Sequence, residues 1–257
     1  MPKSILLVAQ LLFVVAAFAQ KQEKTFFELK VYEYKTSAQE AVIEHYLSEA
    51  YIPYMQSKAV NKIGVFTWAG NDTSVVKKLF VLTPFRSVVQ MANLNKSIIA
   101  DANVAAKSPG YIDATSEAPA YDRIVTYVIK GFDKAPGLTA PKLNSPVEER
   151  VYELRSYESA SEKKYWKKVE MFNEGGEVDI FARLGFNAVF YGEVVAGPTM
   201  PNLMYMTSFI NKADRDAHWQ AFRDDAAWKT LSAKKEYDKT VSKNVTLFLK
   251  ARPYSEY

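Results

Sequence analysis

The strongest constraint on this chain is internal similarity at a spacing of roughly 120 to 125 residues. Phe27-Glu28-Leu29-Lys30 lines up with Tyr152-Glu153-Leu154-Arg155, and Leu79-Phe80-Val81-Leu82-Thr83 with Leu203-Met204-Tyr205-Met206-Thr207. Ile63-Gly64 matches Leu184-Gly185, and Asp101-Ala102 matches Asp225-Ala226 at the same offset as the Leu79–Leu203 pair. Similarity at a long fixed period points to duplication of one supersecondary unit. Whatever the first copy folds into, the second must fold into as well.

The first copy opens on Phe26 to Tyr34, where large apolar residues alternate with charged ones, the period of a half-buried strand. Thr36 and Ser37 precede a helical pattern with Val42, Tyr46, Tyr51 and Met55 near one face, which Pro53 bends or ends. Residues 63–68 and 78–83 flank the turn Ala69-Gly70-Asn71-Asp72 and read as a hairpin. Residues 87–106 are helical in pattern, with Val88, Met91, Ala92, Ile98 and Ile99 able to cover a sheet, and 123–130 close the unit as a strand. Residues 131–147 hold Pro136, Gly137, Pro141 and Pro146 without periodicity and form a linker. Strand 149–157, helix 162–183, strands 186–195 and 203–209, helix 213–222 and strand 244–252 then repeat the order. The expectation is an α+β chain of two ferredoxin-like repeats, about 26–130 and 148–252. Each sheet has one face under its helices, so the two free faces pack sheet to sheet as an intramolecular pseudo-dimer.

The first nineteen residues carry Lys3, an apolar run from Ile5 to Val15, and Ala17-Phe18-Ala19 before Gln20. This pattern reads as a secretory signal peptide over 1–19, with a mature chain starting at Gln20 in the periplasm or outside the cell. The run falls short of the ~20 residues a spanning helix needs, so no membrane span is expected after cleavage. There is no cysteine, which excludes disulfides, thiolate metal sites and a nucleophilic thiol. Packing must then hold an exported fold together, and 16 Tyr, 15 Phe and 4 Trp supply it. A net charge of +4 is too mild to argue for nucleic acid.

The chain resembles the NIPSNAP family of the dimeric α/β-barrel superfamily, in the two-repeat form seen in exported bacterial proteins. The resemblance rests on Tyr152-Glu153-Leu154-Arg155, the run Glu170 to Glu177 (EMFNEGGE), Met200-Pro201-Asn202-Leu203, and Arg215, Trp219, Asp225 and Trp228. It implies the barrel more than a chemistry, because relatives in that superfamily include small oxygenases, haem-handling proteins and members of no assigned activity. Met91, Asn95 and Val104 stand in the first copy where Arg215, Trp219 and Trp228 stand in the second, which breaks any symmetric pair of sites.

Candidate site residues concentrate in the second copy. Trp166, Glu170, Asn173 and Glu177 fall at i, i+4, i+7 and i+11 on one helical stripe, interrupted by Gly175-Gly176, which suggests a bend or close approach. The plainer account is a solvated flank paired with Lys163 and Lys167. His218, beside Trp219 and near Arg215, could serve as an acid or base with Glu170 and Glu177, or simply pack. His45 lies on a surface-like face. Arg155, Arg215, Trp219, Trp166 and Asn173 are the candidate ligand contacts, and Asp225 can cap a helix starting at Ala226. No phosphate loop, GxSxG elbow, HExxH or CxxC occurs, and no cofactor or metal is implied. Two function classes follow. One is a non-catalytic module for a small apolar or aromatic ligand or a protein partner; the other is a cofactor-independent oxygenase. Further homo-oligomerisation stays open. Any pocket is expected between the sheet and helices of the second copy.

Overall fold

A computed structural model describes residues 25–257. The signal-peptide assignment to residues 1–19 lies outside the described residues. The first half runs β1 (Phe26–Tyr34), α1 (Ser37–Tyr46), α2 (Ile52–Ser57), β2 (Gly64–Trp68), β3 (Lys77–Phe85), α3 (Val88–Ile99), α4 (Ala102–Lys107), α5 (Pro109–Ile112) and β4 (Arg123–Gly131). The second runs β5 (Val151–Glu158), α6 (Glu162–Phe172), α7 (Glu177–Arg183), β6 (Asn187–Ala196), β7 (Asn202–Phe209), α8 (Lys212–Asp224), α9 (Ala226–Ser232) and β8 (Lys243–Ala251).

The strands form one closed barrel in the order β1-β3-β2-β8-β5-β7-β6-β4. Each half contributes the ferredoxin-like order, β4-β1-β3-β2 and β8-β5-β7-β6, and the named pairings are antiparallel. The two sheets meet face to face across a shared core, and their edges also join. Phe66 to Trp68 of β2 pair with Leu249 to Ala251 of β8, and Val128 to Gly131 of β4 pair with β6 from Gly192 to Ala196. Joining the edges removes the unpaired backbone rows that either sheet would expose alone. At the second seam a side chain on Gly192 would collide with Ile129 and the Lys130 carbonyl, so only glycine lets the strands approach.

Strand alternation divides the core into three. Phe27, Leu29, Val31, Tyr152, Leu154, Phe190 and Met206 fill the barrel. Tyr32, Tyr34, Ile43, Tyr51 and Met55 pack under the first-half helices. Tyr157, Phe172, Phe181, Tyr205, Trp219 and Phe222 pack under the second-half helices. Side chains cap the helices as the sequence suggests: Thr36 closes a capping box with Gln39, and Asp225 accepts from the Trp228 N–H at 3.0 Å.

Two helices depart from the sequence expectation. The segment around Pro53 does not end. It widens into a π turn at Leu47–Tyr51, where the Ile52 N–H reaches Leu47 O, and so runs on into α2 despite the donor that proline lacks. The helix expected over 162–183 is two helices: α6 ends at Phe172, and a turn over residues 173–176, with Gly176 at φ +85°, precedes α7. The stripe through Trp166, Glu170, Asn173 and Glu177 therefore does not exist as one face. The segment expected as a linker lies against the barrel, with the Phe132 N–H on Tyr191 O and the Thr139 N–H on Val189 O, each at 3.0 Å. Among the described residues no helix is long and apolar enough to cross a membrane.

Candidate functional site

On β5, Tyr152 and Leu154 point into the barrel, which sends Glu153, Arg155 and Tyr157 outward under α6 and α8. Glu153 is fully buried. Its Oε1 accepts from Arg155 Nε at 2.6 Å and Arg215 Nη2 at 2.7 Å; its Oε2 accepts from Arg215 Nε at 2.7 Å and Trp219 Nε1 at 2.8 Å. Burial alone would raise this carboxyl, but the Arg215 and Arg155 guanidiniums outweigh it and hold it below the usual carboxylate range.

Arg155 lies 3.8 Å over the Trp219 ring and donates from Nη1 to the Tyr157 hydroxyl at 3.1 Å, which in turn shares a 2.7 Å hydrogen bond with Tyr205. Burial disfavours the Arg155 cation, yet Tyr205, Tyr157 and Glu153 together keep it more firmly charged than usual. Nearby, Lys168 Nζ donates to Glu177 Oε2 at 2.7 Å, with both side chains buried. Burial raises the Glu177 carboxyl above its ordinary value, against the pull of Lys168.

The first half carries a reduced copy of the same plan. Buried Glu28 accepts from Asn95 Nδ2 at 2.8 Å and faces Lys30 Nζ at 3.2 Å, while Lys30 also donates to Asn95 Oδ1 at 3.0 Å. Lys30 thus stands for Arg155, Asn95 for Trp219 and Met91 for Arg215. The recurring element is a buried glutamate held by a cation two residues along its strand. The candidate residues read from the sequence do not include Glu153, although the aligned FELK and YELR segments carry Glu28 and Glu153 at the same place. The signal was a charged residue at the alternating position between two buried apolar ones.

Of the candidate residues, the structure brings Arg155, Arg215 and Trp219 together on Glu153. The other members are engaged separately. Glu177 belongs to the Lys168 pair. Glu170 accepts from Lys167 at 2.6 Å and from Tyr237 at 3.3 Å, and Lys167 lowers its carboxyl. His218 places Nδ1 2.8 Å from Asp214 O and packs edge-on to Phe186. Trp166 is 54% exposed. Asn173 is structural, donating to Val169 O at 3.0 Å and accepting the Lys134 N–H at 3.2 Å. Among the described residues no three His, Asp or Glu side chains are grouped to hold a metal ion.

A cavity of about 230 Å³ opens inside the barrel at one end and is lined by both halves. Leu29, Val31, Phe80, Val125, Leu154, Met204, Val245 and Leu247 make its walls, with Tyr127, Ser156 and Thr199 among its polar contacts. Two ion pairs stand at its mouth, Lys78–Glu33 at 3.1 Å and Lys243–Glu158 at 3.0 Å. Elsewhere in the barrel, aromatic rings fill the space, with Phe66 4.9 Å from Tyr152 and Phe27 5.7 Å from Phe190. The sequence expectation places any pocket between the sheet and helices of the second half, whereas this space lies inside the barrel and is shared by both halves. The available signal was the inward alternation, large at Phe27 and Tyr152 and smaller at Val31 and Ser156.

Residues 152–256 match the NIPSNAP family. Among curated proteins none matches the chain. Two crystal structures, each named a "putative monooxygenase", share the fold with a TM-score of 0.58. The one from Lactobacillus acidophilus NCFM is 11% identical and covers 89% of this chain and 94% of its own. The one from Fusobacterium nucleatum subsp. nucleatum ATCC 25586 is 10% identical and covers 90% and 93%. At that identity the likeness concerns the barrel alone. The matched segment opens on the strand that carries Glu153 and Arg155 and includes the helix that carries Arg215 and Trp219, so the similarity to the NIPSNAP family lies in the second half.

Proposed function

We propose that the protein is a non-catalytic binding module that takes a small apolar or aromatic ligand into the barrel. One observation carries this reading: a largely apolar cavity of about 230 Å³ opens to solvent between the two halves, rimmed by paired charges. Pockets that are mostly apolar with a few placed polar groups are the usual form of small-molecule sites. The second-half network instead has its buried charges on one another, which suits a scaffold.

The runner-up is a cofactor-independent oxygenase using His218 with Glu170 and Glu177. It draws on likeness to the monooxygenase-named structures, which is likeness of fold. Those three side chains are engaged by separate partners, an arrangement that favours binding over catalysis. The cavity is tested with toluene and indole as probes, followed by thermal shift and ligand-observed NMR. Both should bind the wild type, and Leu154→Trp, which fills the cavity, should abolish binding. Binding unaffected by that substitution would move the site elsewhere.

We further infer that the two halves derive from duplication, with residues 131–147 as the join, and that the chain is exported. The second inference rests on the Ile5–Val15 run and the Ala17-Phe18-Ala19 step. Intact mass of the protein recovered outside the cytoplasm should correspond to a chain starting at Gln20. A mass that retains Met1 to Ala19 refutes it.

A further inference from the structure

The mouth of the barrel cavity can be counted residue by residue from the strand register. Glu33 on β1 stands opposite Lys78 on β3 and Arg123 on β4. Glu158 on β5 stands opposite Asn202 on β7 and Lys243 on β8. Arg123 precedes the cavity-lining Val125 by two positions, so it shares that strand's inward-facing side. Lys78 and Lys243 are each paired with a glutamate. Arg123 is exposed and has no ion-pair partner among the described residues. Three cations therefore face two carboxylates at this mouth, and the walls below are mostly apolar.

We propose that the ligand of the barrel cavity is an amphiphilic monoanion, a small free carboxylic acid whose apolar body fills the funnel and whose carboxylate sits among Lys78, Arg123 and Lys243. This rests on the cavity reading above. A cavity of 150 Å³ takes benzene, so one of 230 Å³ suits a body of roughly ten heavy atoms, the size of a medium chain or an aryl acid. The carboxylate brings the mouth to charge balance and gives the unpaired guanidinium a planar acceptor. A cationic head would meet an excess of like charge, and a neutral head would leave Arg123 as it is.

The test compares octanoate, octan-1-ol and octylamine, which share one chain length, by isothermal titration on the full chain. Octanoate should bind tightest, octan-1-ol more weakly, and octylamine weakest. Arg123→Gln should weaken octanoate about tenfold and leave octan-1-ol unchanged. Because Arg123 is exposed and has no ion-pair partner among the described residues, the variant should keep the wild-type melting temperature. Lys243→Gln serves as the second variant and should act in the same direction. If octylamine binds as well as octanoate, or if neither substitution distinguishes octanoate from octan-1-ol, the anionic head group is wrong while the cavity stands. The same holds if toluene binds and no octyl compound does. If none of the three binds and toluene fails too, the cavity reading itself falls and takes this proposal with it.

Discussion

At the scale of single residues, the second-half network is governed by burial and charge together. Glu153 accepts four hydrogen bonds from Arg155, Arg215 and Trp219, so its ionised form is favoured by the fold. Its folded pKa is depressed. Its contribution is therefore present above the unfolded value of about 4.3 and lost as pH falls through the folded value. Glu177 runs the other way: its folded pKa is raised, so its contribution is present below about 4.3 and lost as pH rises through the folded value. Glu153→Gln should cost about 3–5 kcal/mol at pH 7, because it leaves two guanidiniums around an uncharged amide. Its melting temperature should approach that of the wild type as the solution is acidified below pH ~4. A gap that stays constant from pH 7 to pH 3 would show that shape, and not the carboxylate charge, is what Glu153 supplies.

At the scale of elements, the sequence was legible where periodicity and caps agreed. The strands at Phe26–Tyr34 and Arg123–Gly131, the cap at Asp225 and the order of elements in each half follow from alternation and capping chemistry alone. The site was legible only in part. Arg155, Arg215 and Trp219 were singled out and do converge, but Glu153, the residue they converge on, was not. Helical spacing places Glu170 and Glu177 on one face, and the non-helical turn over residues 173–176, closed by Gly176 at φ +85°, separates them. Spacing arguments hold only while the helix continues, and a Gly-Gly pair is where that assumption is weakest. The π turn before Pro53 shows the converse. There the backbone absorbs a residue expected to bend or end the helix, because buried Tyr51 and Met55 hold it against the sheet.

At the scale of the whole molecule, the cavity and the closed sheet exist only because the halves complete each other. Each half alone would expose two strand edges, β2 and β4 or β6 and β8. It would also expose an apolar inner face bearing Phe27, Phe66 and Phe80, or Tyr152, Phe190 and Met206. An open edge beside an apolar face is a template for association. The Lys130–Glu193 ion pair at 3.1 Å and the tight approach at Gly192 add contacts specific to one seam. Residues 25–147 and 148–257, produced separately, should therefore be dimeric, larger or insoluble. Mixing them during refolding should recover a one-to-one complex that binds toluene as the intact chain does. Size-exclusion chromatography with light scattering checks both expectations. A half that stays monomeric and melts cooperatively by itself would mean that the interior face is tolerated in water, and the cavity could then not be attributed to closure of the barrel.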